Sequence, residues 1–342
     1  MSKHSPLASP RATIATLQDY GLYTKKRLGQ HFLINDGVVG KIMALAAPAK
    51  GDTLLEVGPG IGTLTLALLG TGQPTIAVEK DPALLPALRA NTASVADATR
   101  AAEGERAGRT TDAASGARAG DAACCQRFAL LHQDALDLDA LIPQLPAGPL
   151  MLVANLPYQV AATVVLAYFE RLPQLRAATV MVQREVAERM MAHPGTKAYG
   201  AYTVKLALLA RATGSFAVSR SSFLPPPRVD STVIRLDRRE EGAGAADSAG
   251  AEAGAKVKAP GYVVATDAGA GYATVAALVD AAFAMRRKTL LNNLKAAWPD
   301  RPPEALSRAL ADIGADDAVR AEALDPLSFV RLAALLLAES DE

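Results

Sequence analysis

Thr53-Leu54-Leu55-Glu56-Val57-Gly58-Pro59-Gly60-Ile61-Gly62-Thr63-Leu64-Thr65 is the stretch that decides the fold. Its first five residues read as a strand, its glycines as a tight turn, and a helix begins near Thr63. Glycine opens backbone angles closed to other residues and lets the main chain approach a ligand closely. A second strand, Thr75-Ile76-Ala77-Val78-Glu79, ends in an acid 21 positions after Gly58. An acid about 20 residues beyond such a turn is placed to meet ribose hydroxyls. Together these features predict a nucleoside ligand at the carboxyl edge of a parallel sheet. The third glycine comes too early for the dinucleotide pattern, and no Lys-Ser or Lys-Thr follows as in a phosphate-binding loop. A nucleoside without a pyrophosphate, such as S-adenosylmethionine, fits better.

Working outward, Phe128 to His132 reads as a third strand, ending at Gln133-Asp134-Ala135. Asp134 is placed to accept from an adenine amine or to cap the next helix. A fourth strand, Leu150-Met151-Leu152-Val153-Ala154, delivers Asn155-Leu156-Pro157-Tyr158. Pro157 holds its predecessor extended and removes one donor, so carbonyls near Leu156 stay available. Asn155 and such a carbonyl can accept both hydrogens of an exocyclic purine amine while Tyr158 stacks on the ring, a contact worth roughly 1–3 kcal/mol. Taken alone, the tetrapeptide reads equally as an Asx-type turn with Tyr158 as a half-buried anchor.

Residues 160–171 are expected to be helical and 178–183 a fifth strand, with helices near 184–192 and 199–211. A hairpin follows, from Gly214–Val218 to Asp230–Leu236. Between its arms, Phe223-Leu224-Pro225-Pro226-Pro227-Arg228-Val229 is stiffened by prolines. Phe223 is therefore either a rigid exposed wall opposite Tyr158 or a core-capping aromatic. Beyond residue 270 the chain reads as wholly helical, with Arg286-Arg287-Lys288 on a helix or at a helix junction. This cluster, and Lys25-Lys26-Arg27 near the N-terminus, read as solvated faces or as patches for RNA phosphates.

The totals narrow the class. Lys and Arg number 36 against 35 Asp and Glu, so a nucleic-acid partner must be met by local patches. The two cysteines, Cys124 and Cys125, are adjacent and cannot build a disulfide framework, which fits a reducing, cytoplasmic setting. No run suits a bilayer span, and no metal-ligating pattern stands out. The organisation expected is a flexible N-terminus over 1–20 and a catalytic domain over 21–238 with a largely disordered Ala/Gly-rich insertion at about 92–127. A flexible linker over 239–270 and a helical RNA-binding domain over 271–342 complete it.

With Lys26 to Leu33, Glu56 to Gly62, Glu79, Gln133 to Ala135, Asn155 to Tyr158, Phe223 to Ser231 and Ala282 to Leu290 in this order, the chain resembles the ribosomal RNA adenine N6,N6-dimethyltransferases, most closely the bacterial small-subunit type. The resemblance implies a Rossmann-like class I methyltransferase, α/β with a mostly parallel seven-stranded sheet and helices on both faces, plus a small all-α C-terminal domain. It implies S-adenosylmethionine contacts at Gln30, His31, Leu33, Gly58, Gly60, Glu79, Asp134 and Asn155, with S-adenosylhomocysteine as product and no metal. Asn155, Leu156, Pro157, Tyr158 and Phe223 would hold the target adenine. Lys25, Lys26, Arg27, Arg228, Arg286, Arg287 and Lys288 would meet RNA. Family members more often carry Asn at the position of His31. The implied reaction dimethylates two adjacent adenosines near the 3′ end of 16S rRNA in the 30S subunit, with a role in subunit biogenesis, and the protein is expected to be a monomer. Leu156 argues against the DNA adenine methyltransferases. The alternatives are a 23S rRNA methyltransferase of the macrolide-resistance type and a non-catalytic RNA-binding assembly factor.

Overall fold

A computed structural model of the chain describes residues 4–22, 30–93, 127–239 and 271–338. Lys25, Lys26, Arg27, the Cys124–Cys125 pair and nearly all of the 92–127 and 239–270 stretches lie outside the described residues. The strands are β1 (Phe32–Leu33), β2 (Thr53–Val57), β3 (Thr75–Glu79), β4 (Phe128–His132), β5 (Leu150–Asn155), β6 (Leu175–Gln183), β7 (Ala210–Val218), β8 (Phe223–Leu224) and β9 (Ser231–Arg238). Seven form one sheet in the order β4-β3-β2-β5-β6-β9-β7, and β1 and β8 pair antiparallel as a separate ribbon. β2 lies parallel to β3 and β5, β3 to β4, and β5 to β6, while β9 runs antiparallel to β6. The expected mostly parallel seven-stranded sheet is therefore present.

β2, β5 and β6 are buried along nearly their whole length. Side chains alternate along a strand, so continuous burial means that both sheet faces are covered. On one face Leu54, Met151, Val153 and Met181 pack with Val39 and Ile42 of helix Asp36–Ala46 and Leu64 and Leu68 of helix Thr63–Leu69. Helix Ala161–Arg171 buries Val164, Val165, Tyr168 and Phe169, and the Tyr168 hydroxyl donates to the Ala135 carbonyl at 2.9 Å. The chain moves outward from β2 to β3 and β4, whereas β5 and β6 lie on the other side of β2. Between β2 and β5 the strand order thus reverses, and the carboxyl ends of these two strands open a crevice.

Three local expectations change. The N-terminal run expected to be loose contains helix Pro10–Asp19. Ser9 caps it by accepting from the Ala12 N–H, and the Asp36 carboxylate accepts from the His4 and Ser5 N–H groups. Its inward positions include Thr13 and Thr16, so it carries little apolar period to read. The helix expected over 199–211 spans Ala201–Leu209, because β7 begins at Ala210. The fifth strand starts three residues earlier than expected, at Leu175.

The chain divides into two compact units, Met1–Ala187 with Ala212–Asp237, and Glu188–Arg211 with Arg238–Glu342. The second is built from helices Ala201–Leu209, Tyr272–Ala282, Leu290–Ala297, Pro303–Asp312 and Pro326–Ala338 around Val204, Leu278, Leu294, Leu306, Phe329 and Leu332. A boundary at 238 would have left helix Ala201–Leu209 in the first unit. No helix among the described residues is long and apolar enough to cross a membrane.

Candidate active site

The turn after β2 explains its glycines. Gly58 and Gly60 have φ of +71° and +62°, angles that side chains resist. A Cβ at Gly58 would lie 3.3 Å from Pro157, and one at Gly60 would lie 3.3 Å from the Phe32 ring. The glycine turn is thus wedged between the tetrapeptide after β5 and the short strand β1. Below it opens a cavity of about 560 Å³ at the carboxyl ends of β2, β3, β4 and β5. Gln30, His31, Leu33, Gly58, Gly60, Glu79, Asp134, Asn155, Leu156, Pro157 and Tyr158 all line it. Sequence positions spread over more than a hundred residues meet here because four parallel strands end at one edge.

Hydrogen bonds set the geometry. Asn155 Nδ2 donates to the His31 carbonyl at 3.2 Å, so its amide is aligned across the cavity and Oδ1 is the atom left to accept. This bond joins two distant segments and is not the local Asx turn that the tetrapeptide alone allows. The Leu156 N–H donates to the Met181 carbonyl, and the Pro157 carbonyl accepts from the Val160 N–H. The Tyr158 hydroxyl pairs with Ser231 Oγ at 2.7 Å. The His31 ring stacks on Tyr158 at 5.6 Å between centroids and 29° between planes, and its Nδ1 lies 2.8 Å from the Pro225 carbonyl.

The carboxylates differ in kind. Glu79 accepts from the Asp81 and Gly60 N–H groups at 2.8 and 3.3 Å. Burial raises its pKa, and those two donors partly offset the rise. Asp134 lies lower than usual, chiefly through Lys80, whose ammonium is 2.6 Å away, and through the Leu136 N–H. Its capping role falls to Asp137, which accepts from the Ala140 N–H at the start of helix Leu138–Leu141. Glu56 is buried in β2, and desolvation pushes its pKa up to about 8, with the Glu79 charge adding to the rise and Thr65 opposing it. Glu56 Oε2 and Thr63 Oγ1 have no hydrogen-bond partner among the described residues, and both residues line the cavity.

These features fit a nucleoside that carries an amino-acid tail. Glycines 58 and 60 let the turn lie close against Pro157 and Phe32 at the cavity wall, Glu79 and Asp134 offer acceptors, and the unpaired Glu56 and Thr63 oxygens suit an amine.

Other expected residues fall elsewhere. Phe223 is not an exposed wall: it is 2% accessible and packs with Leu33, Val39, Leu64 and Met181. Pairing with Leu33 in the β1–β8 ribbon turns its ring inward. The Leu33 side chain shares that core, so only its main chain is suited to a polar contact. Arg228 is exposed and does not line the cavity. Arg286, Arg287 and Lys288 are exposed between helices Tyr272–Ala282 and Leu290–Ala297 of the second unit. The sequence reading missed Glu56, Lys80 and Asp81. An acid inside the apolar run of β2 is itself a signal. Asp81 accepts from Gln30 Nε2 at 2.9 Å, a pairing across 51 positions that no local pattern reveals.

A family model described as ribosomal RNA adenine dimethylase matches residues 21–98 and 123–248. The chain is 38% identical over 328 residues to the ribosomal RNA small subunit methyltransferase A of Rhodococcus opacus (strain B4), covering 96% of this chain and 94% of that one. It is 36% identical over 342 residues to the protein of the same name from Geobacillus thermodenitrificans (strain NG80-2), covering 98% of both. Among solved structures, a dimethyladenosine transferase from Plasmodium falciparum superposes with a TM-score of 0.62 at 21% identity, over 91% of this chain and 98% of that one. The 23S rRNA methyltransferase ErmE gives 0.56 at 20%, over 89% and 99%. These two structures speak to the fold alone.

Proposed function

Because this chain belongs to the ribosomal RNA adenine dimethylase family, we propose that it dimethylates N6 of adenosines in 16S rRNA with S-adenosylmethionine as methyl donor. The observation that carries the reading is the meeting of the glycine turn, Glu79, Asp134 and Asn155–Tyr158 in one cavity at the strand-order reversal. The relatives over nearly the whole chain are small-subunit enzymes, which favours the small subunit over the 23S alternative. The retained tetrapeptide and cavity disfavour a non-catalytic assembly factor.

Bound in this cavity, S-adenosylmethionine supplies a sulfonium methyl whose departure leaves a neutral thioether. Gly58 and Gly60 would let the turn approach the ligand, Glu79 would take the ribose hydroxyls, Asp134 would accept from the cofactor's adenine amine, and the main chain near His31 and Leu33 would close the other wall. N6 of the target adenosine is a weak nucleophile because its lone pair is shared with the ring. Asn155 Oδ1 accepts one N6 hydrogen. The Leu156 carbonyl would accept the other, the Pro157 carbonyl being the more occupied of the two because it also accepts from the Val160 N–H. Two acceptors favour a pyramidal amine with a localised lone pair; as N6 gains the methyl and the sulfonium becomes a thioether, N6 releases one of its protons to water. Tyr158, anchored through Ser231, supports the face of the base. Holding nucleophile and methyl in line is worth about 7–11 kcal/mol of barrier. The base must leave its stack to enter. The 30S particle as the substrate form, and Arg228 and Arg286–Lys288 as phosphate contacts, belong to the same proposal.

The test uses labelled S-adenosylmethionine with unmethylated small subunits, large subunits and naked DNA. Dimethyladenosine in 16S rRNA alone is expected. Label in 23S rRNA would contradict the substrate assignment, and no label anywhere with cofactor binding intact would contradict the enzyme.

A further inference from the structure

Lys80 is the one lysine or arginine among the described residues lining the cavity. It follows Glu79 at the carboxyl end of β3. β3 and β4 run parallel with Glu79 beside His132, so Lys80 and Asp134 leave neighbouring strand ends close together. The Lys80 ammonium is 2.6 Å from Asp134 Oδ2. The other carboxylate oxygen, Oδ1, accepts from the Leu136 N–H at 3.0 Å. Each oxygen thus has one donor that fixes it, and each keeps a lone pair for a further donor. The main chain around Asp134 is held by other groups. The Gln133 N–H donates to the Glu79 carbonyl and the Asp137 N–H to the Asp134 carbonyl, both at 3.1 Å. The buried Tyr168 hydroxyl donates to the Ala135 carbonyl at 2.9 Å. Lys80 is therefore not needed to place the loop. Its side chain is 69% accessible, and an exposed ion pair adds little to folding stability. What it sets is the direction of a carboxylate that lines the cavity.

We propose that Lys80 is a positioning residue for cofactor recognition: it fixes the Asp134 carboxylate as acceptor for the cofactor's adenine amine and so sets the preference for adenine over a 6-oxo purine. The proposal rests on the reading of the cavity as an S-adenosylmethionine site and assigns a residue to it. A carboxylate accepts from an amine but meets a 6-oxo group oxygen to oxygen, so a carboxylate fixed in place separates the two purines. The consecutive residues Glu79 and Lys80 then serve the two ends of one nucleoside, the first by accepting from the ribose and the second through Asp134 at the base.

The test measures, by calorimetry, affinities for S-adenosylhomocysteine and for its deaminated analogue S-inosylhomocysteine. The proteins compared are the unaltered chain, Lys80→Met, Asp134→Ala and the double variant. Both ligands are without net charge near neutral pH, so removing a cation from the wall leaves their long-range attraction unchanged. Lys80→Met is expected to lower affinity for S-adenosylhomocysteine about fivefold and to leave that for S-inosylhomocysteine as it was. Added to Asp134→Ala, it is expected to cost nothing further. An S-adenosylhomocysteine affinity unchanged by Lys80→Met would overturn the proposal. So would an equal loss for both ligands, or a loss that persists beside Asp134→Ala, since either would mean that Lys80 acts without Asp134. An unaltered protein that binds both purines equally would also overturn it, by taking Asp134 away from the amine. If the unaltered protein binds neither ligand, the cofactor reading itself fails, and the proposal with it.

Discussion

Glu56 carries a cost that pH exposes. Its carboxyl ionises near 4.5 when solvated and near 8 in the folded protein, because burial penalises the charge. Between those values the unfolded chain has released the proton and the folded chain keeps it. Stability therefore falls as pH rises, by up to about 1.4 kcal/mol per pH unit in that window. Glu56→Gln is expected to remove this slope and to raise the melting temperature most near pH 8, as followed by thermal denaturation of the ligand-free protein at a series of pH values. Asn155 is a different case, since its worth lies in what it offers the substrate. Its Nδ2 is engaged by the His31 carbonyl, which leaves Oδ1 as the atom free to accept. Asn155→Ala is expected to lower kcat by ~10²–10³-fold, the usual loss for one positioned hydrogen-bonding group, with a much smaller effect on S-adenosylhomocysteine binding. The sequence placed Asn155 at the end of β5 but left an Asx turn and an acceptor for an amine equally open, and the bond to the His31 carbonyl is what rules out the purely local turn. The sequence also left Phe223 open between an exposed wall and a core-capping ring, because a proline-stiffened loop does not say which way its first ring points. Pairing with Leu33, 190 positions away, turns that ring inward.

Elements were legible where their periodicity was strong and short-range. The apolar runs of β2, β3 and β5 could be read from neighbouring residues. Helix Pro10–Asp19 could not, since threonines fill inward positions. The loop carrying Arg286–Lys288 is also set by a distant side chain. Buried Asn293 donates Nδ2 to the Ala282 carbonyl at 2.5 Å and to the Met285 carbonyl at 3.3 Å, tying the loop to helix Leu290–Ala297. Asn293→Leu is expected to cost about 1–3 kcal/mol by leaving buried acceptors without that donor, measured by urea denaturation. At the glycine turn, Gly58→Ala must place a side chain at positive φ and 3.3 Å from Pro157. Both strains push the turn away from the tetrapeptide. Weakened cofactor affinity in calorimetry is expected, together with a lower melting temperature.

Across the whole molecule, net charge is only +1, so attraction to rRNA rests on where the cations lie. Replacing Arg286, Arg287 and Lys288 by Gln is expected to weaken small-subunit binding and to flatten its dependence on salt, by roughly 2–3 in the slope of log K against log salt. A slope unchanged by those replacements would remove this loop from the interface. The largest-scale feature, the strand-order reversal between β2 and β5, is what gathers Gly58, Glu79, Asp134 and Asn155. The measurement that tests this most directly is single-turnover methyl transfer from labelled S-adenosylmethionine to unmethylated small subunits, with Asn155→Ala alongside. Dimethyladenosine in 16S rRNA is expected from the unaltered protein, with its near-complete loss in the variant while the cofactor still binds. Full activity in the variant would contradict the assignment of this cavity as the site of transfer.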